Sequence, residues 1–197
     1  MIVTNGTVLA TWGGYNYRVR RSEDGGSTWG TEIHIESGRD WVHGGGVVVD
    51  ENTGNMLVST HHGDHTGNDS LIFYRSSDEG NTWQKQDVKI YPDEKGNVPT
   101  GHMSESGITL QYGPNAGRLL RPARWFGRGN ARQYYPEHYN TAIYSDDGGN
   151  TWHTSAPFPA YGTGEGALAE LSDGRIYYNS RRHWAPDPHC RFSSLKL

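Results

Sequence analysis

Two short stretches carry residue types from which a polar site can be built. Glu165 lies in Gly162-Thr163-Gly164-Glu165, and Arg181 lies in Asn179-Ser180-Arg181. A planar guanidinium meets a carboxylate through two parallel charge-assisted hydrogen bonds, so an arginine in a cleft is suited to an acidic ligand. Between the two residues, LAELSDGRIYY (168-178) reads as a hairpin with its Asp-Gly turn in the middle. Glu165 then opens one strand and Arg181 closes the other, so both side chains approach the same end of the hairpin. The same arrangement suits a surface ion pair, which contributes little on its own. Arg182 comes next and faces the opposite side of a continued strand.

Other polar clusters compete with this pair. Arg121, Arg124 and Arg128 precede Tyr134, Tyr135 and Tyr139 in what reads as a long insertion. Aromatics mixed with arginines suit sugar stacking and hydroxyl recognition, and Arg124 and Tyr135 are substrate-binding candidates; a wet packing loop uses the same residues. His61, His62, Asp64 and His65 form HHGDH, whose imidazole and carboxylate donors match a divalent metal but are equally ordinary in a solvent-exposed loop. The expectation is that there is no metal site and no cofactor. The one cysteine, Cys190, excludes an internal disulfide framework and a thiolate zinc site.

The elements that would position these residues show themselves in a repeat. SEDGGSTW (22-29), SSDEGNTW (76-83) and SDDGGNTW (145-152) share the pattern Ser-x-Asp-x-Gly-x-Thr-Trp. Asp24, Asp78 and Asp147 are too far apart for one loop and lie at about the interval of a four-stranded propeller blade. Each motif follows a strand rich in β-branched or aromatic residues: YRVRR (17-21), LIFYR (71-75) and TAIY (141-144). Asp accepts bonds from nearby backbone N-H groups and Gly supplies positive φ, so the motif reads as a folding device rather than a calcium loop. VVVDENTGNMLV (47-58) and ITLQYGPNAGRLL (108-120) are further hairpins. With 27 glycines and 7 tryptophans in 197 residues, the chain reads as one all-β domain over 1-197. Its blade-like units fall near 1-40, 44-91 and 107-160, with a fourth beginning at 165-182.

Composition narrows the partners. A net charge of -4 and 18 dispersed basic residues do not form a phosphate-tracking surface, so nucleic acid is not expected. No stretch approaches the apolar length of a membrane helix, and the opening MIVTNGTVLATW lacks the pattern of a signal peptide.

The three motifs resemble the Asp-boxes, or BNR repeats, of the sialidase superfamily of six-bladed β-propellers. GVVVDENTGNMLV, SGITLQYGPNAGRLLRPARW, TAIYSDDGGNTW and GTGEGALAELSDGRIYYNSRR follow one another as in bacterial exo-α-sialidases. The resemblance implies a glycoside hydrolase acting on terminal sialic acids, in a secreted or periplasmic setting. In that family three arginines clamp the substrate carboxylate, a glutamate activates a nucleophilic tyrosine, and an aspartate serves as acid/base. By position Glu165 corresponds to the activating glutamate and Arg181 to the second arginine, with Arg182 a weaker clamp candidate. The segment ATWGGYNYRVRRS, where the acid/base aspartate is expected, carries no carboxylate, and Asp40 beyond the first box is the nearest remaining candidate. The first clamp arginine is expected before the chain's first strand; the third arginine and the nucleophile belong to later blades. None of Tyr134, Tyr135 and Tyr139 stands where the nucleophile belongs. Two readings follow: an enzyme on sialylated glycans, or a non-catalytic Asp-box module or larger-enzyme fragment that binds anionic sugars. Three boxes are half the blade number of the family, so a homodimer completing one ring is a further expectation.

Overall fold

The computed structural model describes residues 6–62, 71–99, 105–129, 131–182 and 191–195. These form strands in three sheets, with two short 3-10 turns at Gly113–Asn115 and Arg132–Glu137. The first sheet contains β1 (Val8–Trp12), β2 (Gly14–Ser22), β3 (Ile33–Gly44), β4 (Val48–Val49), β5 (Met56–His62), β6 (Ile72–Ser76) and β7 (Gln84–Gln86). Its order is β1-β2-β3-β5-β6-β7, with β4 paired to β5. The second contains β8 (Lys89–Tyr91), β9 (Ile108–Thr109), β10 (Leu119–Trp125), β11 (Tyr139–Ser145) and β12 (Thr151–Thr154), ordered β8-β12-β11-β10-β9. The third is β13 (Thr163–Glu170), β14 (Ile176–Arg182) and β15 (Arg191–Leu195). All neighbours are antiparallel except β8 and β12. The result is an all-β fold of small sheets that resemble propeller blades.

Two pairings link successive repeats. The far end of the 12-residue β3 runs past β2 and pairs with β5, Val42 opposite His62 and Gly44 opposite Thr60, which joins the first two motifs in one sheet. Segment 89–91 pairs in parallel with β12, just after the third motif turn.

The alternating side-chain direction of the strands builds the cores between successive layers. On β5, Met56 and Val58 pack with Leu9, Tyr17, Val19 and Ile35, while Leu57 between them packs with Leu119, Ile143 and Trp152 on the other side. On β11, Ile143 faces that second core and Ala142 the third, with Leu110, Leu120 and Ile176. A strand buried on both faces reads as an apolar run, as VVVDENTGNMLV and TAIY do.

The repeated motif closes each hairpin by one bonding pattern. In the second copy Thr82 donates its N-H to Asp78 Oδ1 at 2.9 Å and its hydroxyl to Oδ2 at 2.6 Å; Gly80 N-H donates to Ser76 Oγ at 2.8 Å. Asp24 with Thr28 and Asp147 with Thr151 repeat it. The hydroxyl and backbone donors of Thr28, with Ser22, hold the Asp24 carboxyl down at about 2. Each later motif also docks on the repeat before it. Gly80 has φ +81° and sits against Leu9; Gly149 has φ +87°, and a Cβ there would collide with Leu57. Arg21 reaches forward to Glu79 O and Asn81 Oδ1, both at 2.7 Å, and Arg75 reaches forward to Asn150 Oδ1 at 3.2 Å.

The three motif tryptophans therefore differ in worth. Trp152 is fully buried, stacked on Phe73 with centroids 5.6 Å apart, and donates to Gly149 O at 3.2 Å. Trp29 in the first copy is 41% exposed. Trp152→Ala is expected to lower stability by about 3–5 kcal/mol and Trp29→Ala by less than about 1 kcal/mol. Urea denaturation of both variants checks this, and equal losses would contradict the docking scheme.

Candidate active site

The site begins at a break in the β13–β14 ladder. Thr163 pairs with Arg182 and Gly166 with Ser180, so Gly164 and Glu165 together oppose Arg181. Such a two-against-one bulge re-aims a side chain, and here it brings the Glu165 carboxylate to the Arg181 guanidinium. Arg181 Nε donates to Oε2 at 2.5 Å and Nη2 to Oε1 at 2.8 Å. Burial pushes the Glu165 carboxyl up, but the Arg181 bonds, its own backbone amide and the nearby Arg124 charge outweigh it and hold it at about 2. Glu165 is thus ionised across the ordinary pH range.

The pair stands at the rim of a cleft of about 390 Å³, lined by Glu105, Glu165, Gly166, Ala167, Asn179 and Arg181. Gly166 is required there: a Cβ would lie 2.6 Å from the Tyr178 ring and hydroxyl. Tyr178 is buried and packs on Phe158 with centroids 4.3 Å apart. Asn140 on β11 ties the hairpin to the second sheet, its N-H donating to Thr163 Oγ1 at 3.0 Å and its amide to Ser180 Oγ at 2.5 Å.

Behind the rim lie two buried cations. Arg121 and Arg124 belong to β10 rather than to an insertion loop, because the sequence around Pro122 continues the pairing with β11. Arg124 is 5% exposed, and its guanidinium stacks on Phe126 at 3.9 Å. Burial lowers its pKa to about 10, against the opposing pull of Glu165 and Glu105. Arg121 donates to Ser59 Oγ, and burial lowers it to about 10 while Tyr17 and Glu105 resist.

The remaining candidates fall into place around this group. Tyr135, half-buried in the second 3-10 turn, lies close enough to Arg181 for its phenol to favour that cation. Arg182 sits opposite Thr163, on the other side of the strand from Arg181. Asp40 is part of β3, and its side chain lies outside the described ones. Arg128 instead pairs with Glu137 and stacks on Tyr134, whereas Tyr139 is buried and donates to Asp93 at 2.6 Å. His61 is buried on β5; Asp64 and His65 lie outside the described residues, among which no metal-binding grouping occurs. Glu105 is absent from the sequence reading. A lone carboxylate in SESG has no pattern, and only the close packing of Gly46 and Gly107 around it brings it to the cleft.

Blade-like sheets closed by Asp-Gly-Trp turns, with a carboxylate–guanidinium cleft at one hairpin end, define a protein of the Asp-box repeat class. The BNR repeat-like domain model matches residues 2–195, and the chain belongs to that family, within the sialidase superfamily. It is 31% identical over 183 residues to a sialidase of Micromonospora viridifaciens, across 82% of this chain and 27% of that protein. Its fold is similar to that of the Hadza microbial sialidase Hz136, at a TM-score of 0.72 and 21% identity over 98% of this chain and 42% of the other. Trypanosoma rangeli sialidase, solved with the inhibitor DANA, gives a TM-score of 0.69 and 19% identity over 100% of this chain and 35% of the other. The chain thus spans less than half the length of each of these relatives.

The Glu165–Arg181 pair makes a specific claim on pH. A carboxyl depressed on folding contributes stability that is fully present above its unfolded pKa of about 4.3 and is lost as pH falls through about 2. Because the pair is half exposed, the effect on stability is small. A carbon-13 NMR titration of Glu165 is expected to show a midpoint near 2 in the wild type and, in Arg181→Met, one shifted upward from it. An unmoved midpoint would mean that Arg181 is not what holds it down.

Proposed function

We propose that this chain carries part of a sialidase-type active site that acts on terminal sialic acids of glycoconjugates. The observation that carries the reading is the bulge-directed Glu165–Arg181 pair at a cleft backed by Arg124 and Arg121. In this reading Arg181, through the Nη1 that Glu165 does not occupy, joins Arg124 in binding the sugar carboxylate. Glu165 is the fixed negative charge that activates a nucleophile, and Tyr135 contacts the sugar beside Arg181. Asp40 is the acid/base candidate, and Arg182 braces the strand end from its other face. The engagement of Tyr139 with Asp93 and of Tyr134 with Arg128 fits their exclusion as nucleophile.

One observation favours the second reading, a module that binds anionic sugars without turnover. A carboxylate held at about 2 by two bonds from one arginine is a weak proton acceptor, well below the range in which general bases operate. Fluorophore release from a 4-methylumbelliferyl sialoside separates the readings. Turnover by the wild type is expected to fall at least about 100-fold in Glu165→Gln and in Arg181→Ala. Turnover that survives both substitutions removes these residues from the site. A wild type that binds the sialoside without cleaving it establishes the module.

We further propose that the sheets amount to about three and a half blades, near 1-40, 44-91, 107-160 and from 165-182, and that a second copy of the chain completes the ring. Support comes from the first motif, where Gly26 lacks the leucine that packs on Gly80 and Gly149 among the described residues, and Trp29 is 41% exposed while Trp152 is buried. Light scattering at micromolar concentration is expected to give twice the 22.0 kDa chain mass; a monomer mass counts against this assembly.

A further inference from the structure

Glu105 is the charged group of the cleft lining, among the described residues, that lies outside both the repeats and the Glu165–Arg181 pair. It lines the cleft beside both, and its Oε2 is buried without a hydrogen-bond donor among the described residues. A carboxylate oxygen removed from water and left unpaired is costly, so its retention calls for a partner that arrives from outside. Its backbone is closely packed. Gly46 packs directly on the Glu105 backbone, where a Cβ would collide with the carbonyl and with Ser106 N. Gly107, two residues on, is wedged against Val48, the Leu120 carbonyl and Arg121 Cβ. The packed core therefore fixes the backbone from which the carboxylate extends.

Arg124 is 5% exposed and its cation rests on Phe126, outside the lining of the cleft. A ligand group that meets the Glu105 carboxylate in the cleft must donate a bond to it. A sugar hydroxyl does so, having one proton to give. An ether, an ester or a missing oxygen leaves the buried carboxylate without its donor, and sites built to bond a hydroxyl discriminate strongly against its absence.

We propose that Glu105 is a specificity-determining residue which accepts a bond from one hydroxyl of the bound acidic sugar and rejects ligands in which that hydroxyl is missing or acylated. This rests on the acidic-sugar reading of the cleft given above. The test is calorimetric titration of the methyl α-glycoside of N-acetylneuraminic acid and of its monodeoxy and mono-O-acetyl forms. Each is bound to the wild type, Glu105→Gln and Glu105→Asp, with melting curves confirming that the variants fold. The wild type is expected to bind the parent glycoside at least roughly 30-fold more tightly than one particular monodeoxy form and the corresponding O-acetyl form. In Glu105→Gln the parent is expected to weaken about tenfold, and the preference at that one position to collapse to about 3-fold or less, other positions being unchanged. Variants that fold and keep the wild-type preference at every position overturn this inference and leave the sialic acid reading standing. A wild type that shows no preference at any position also overturns this inference alone. A wild type that binds none of these glycosides overturns both.

Discussion

The docking of each Asp-box turn on the repeat before it is the contact on which the rest of the molecule depends. A four-stranded antiparallel unit buries one face poorly by itself, and here it is completed only when a neighbour is stacked against it. The turn makes stacking specific. The Asp side chain gathers the Thr N-H and hydroxyl, which fixes the loop; positive φ at the glycine then presents a surface without a Cβ. Leu9 fills that surface at Gly80 and Leu57 fills it at Gly149. Arg21 and Arg75, each just before its own box, reach forward to the asparagine of the next one. The box is remote from the Glu165–Arg181 cleft in chemistry, yet it sets the angle between layers and so which hairpin ends converge.

Convergence at the cleft is achieved by removing side chains as much as by placing them. Gly45 receives the Tyr17 hydroxyl on its carbonyl at 2.5 Å and lies under the Arg121 guanidinium, while Gly46 takes the Glu105 backbone and Gly166 the Tyr178 ring. These glycines have ordinary φ, so close approach rather than left-handed backbone is what demands them. Three layers meet there: β5 through Ser59, β10 through Arg121 and Arg124, and the β13–β14 hairpin through Glu165 and Arg181.

The repeat was legible in the sequence because its chemistry is local. Asp, Gly and Trp sit within eight residues, and the strands before them alternate or run apolar as their burial requires. The hairpin that carries Glu165 and Arg181 was legible for the same reason, since one Asp-Gly turn relates the two residues. The bulge that pairs them was not, because a two-against-one register depends on how β14 meets β13 and leaves no composition mark. Arg121 and Arg124 read as loop residues beside glycine, proline and aromatics. Their strand is dictated by pairing with β11, and burying two guanidiniums requires partners that come from other layers. Glu105 was invisible for the most general reason: its neighbours Gly46, Arg124 and Glu165 are distant in sequence, and nothing local distinguishes it from a solvent carboxylate.

Charge balance in the cleft follows from these placements and constrains what it can hold. Among the described residues, Glu105, Glu165 and Arg181 line the cleft, and the buried cations of Arg121 and Arg124 influence its carboxylates. Burial lowers the pKa of both inner arginines to about 10, still far above neutral pH, so both remain cationic there. Glu165 neutralises Arg181 at the rim by a bidentate contact, whereas the Nε of the inner cation Arg124 has no acceptor among the described residues. In the proposed reading the acid group of the ligand meets that cation. Because Glu105 remains beside that cation, the same ligand must also offer a donor within a few ångströms of its acid group. An acidic polyol meets both demands, whereas a simple carboxylate or phosphate meets only the first.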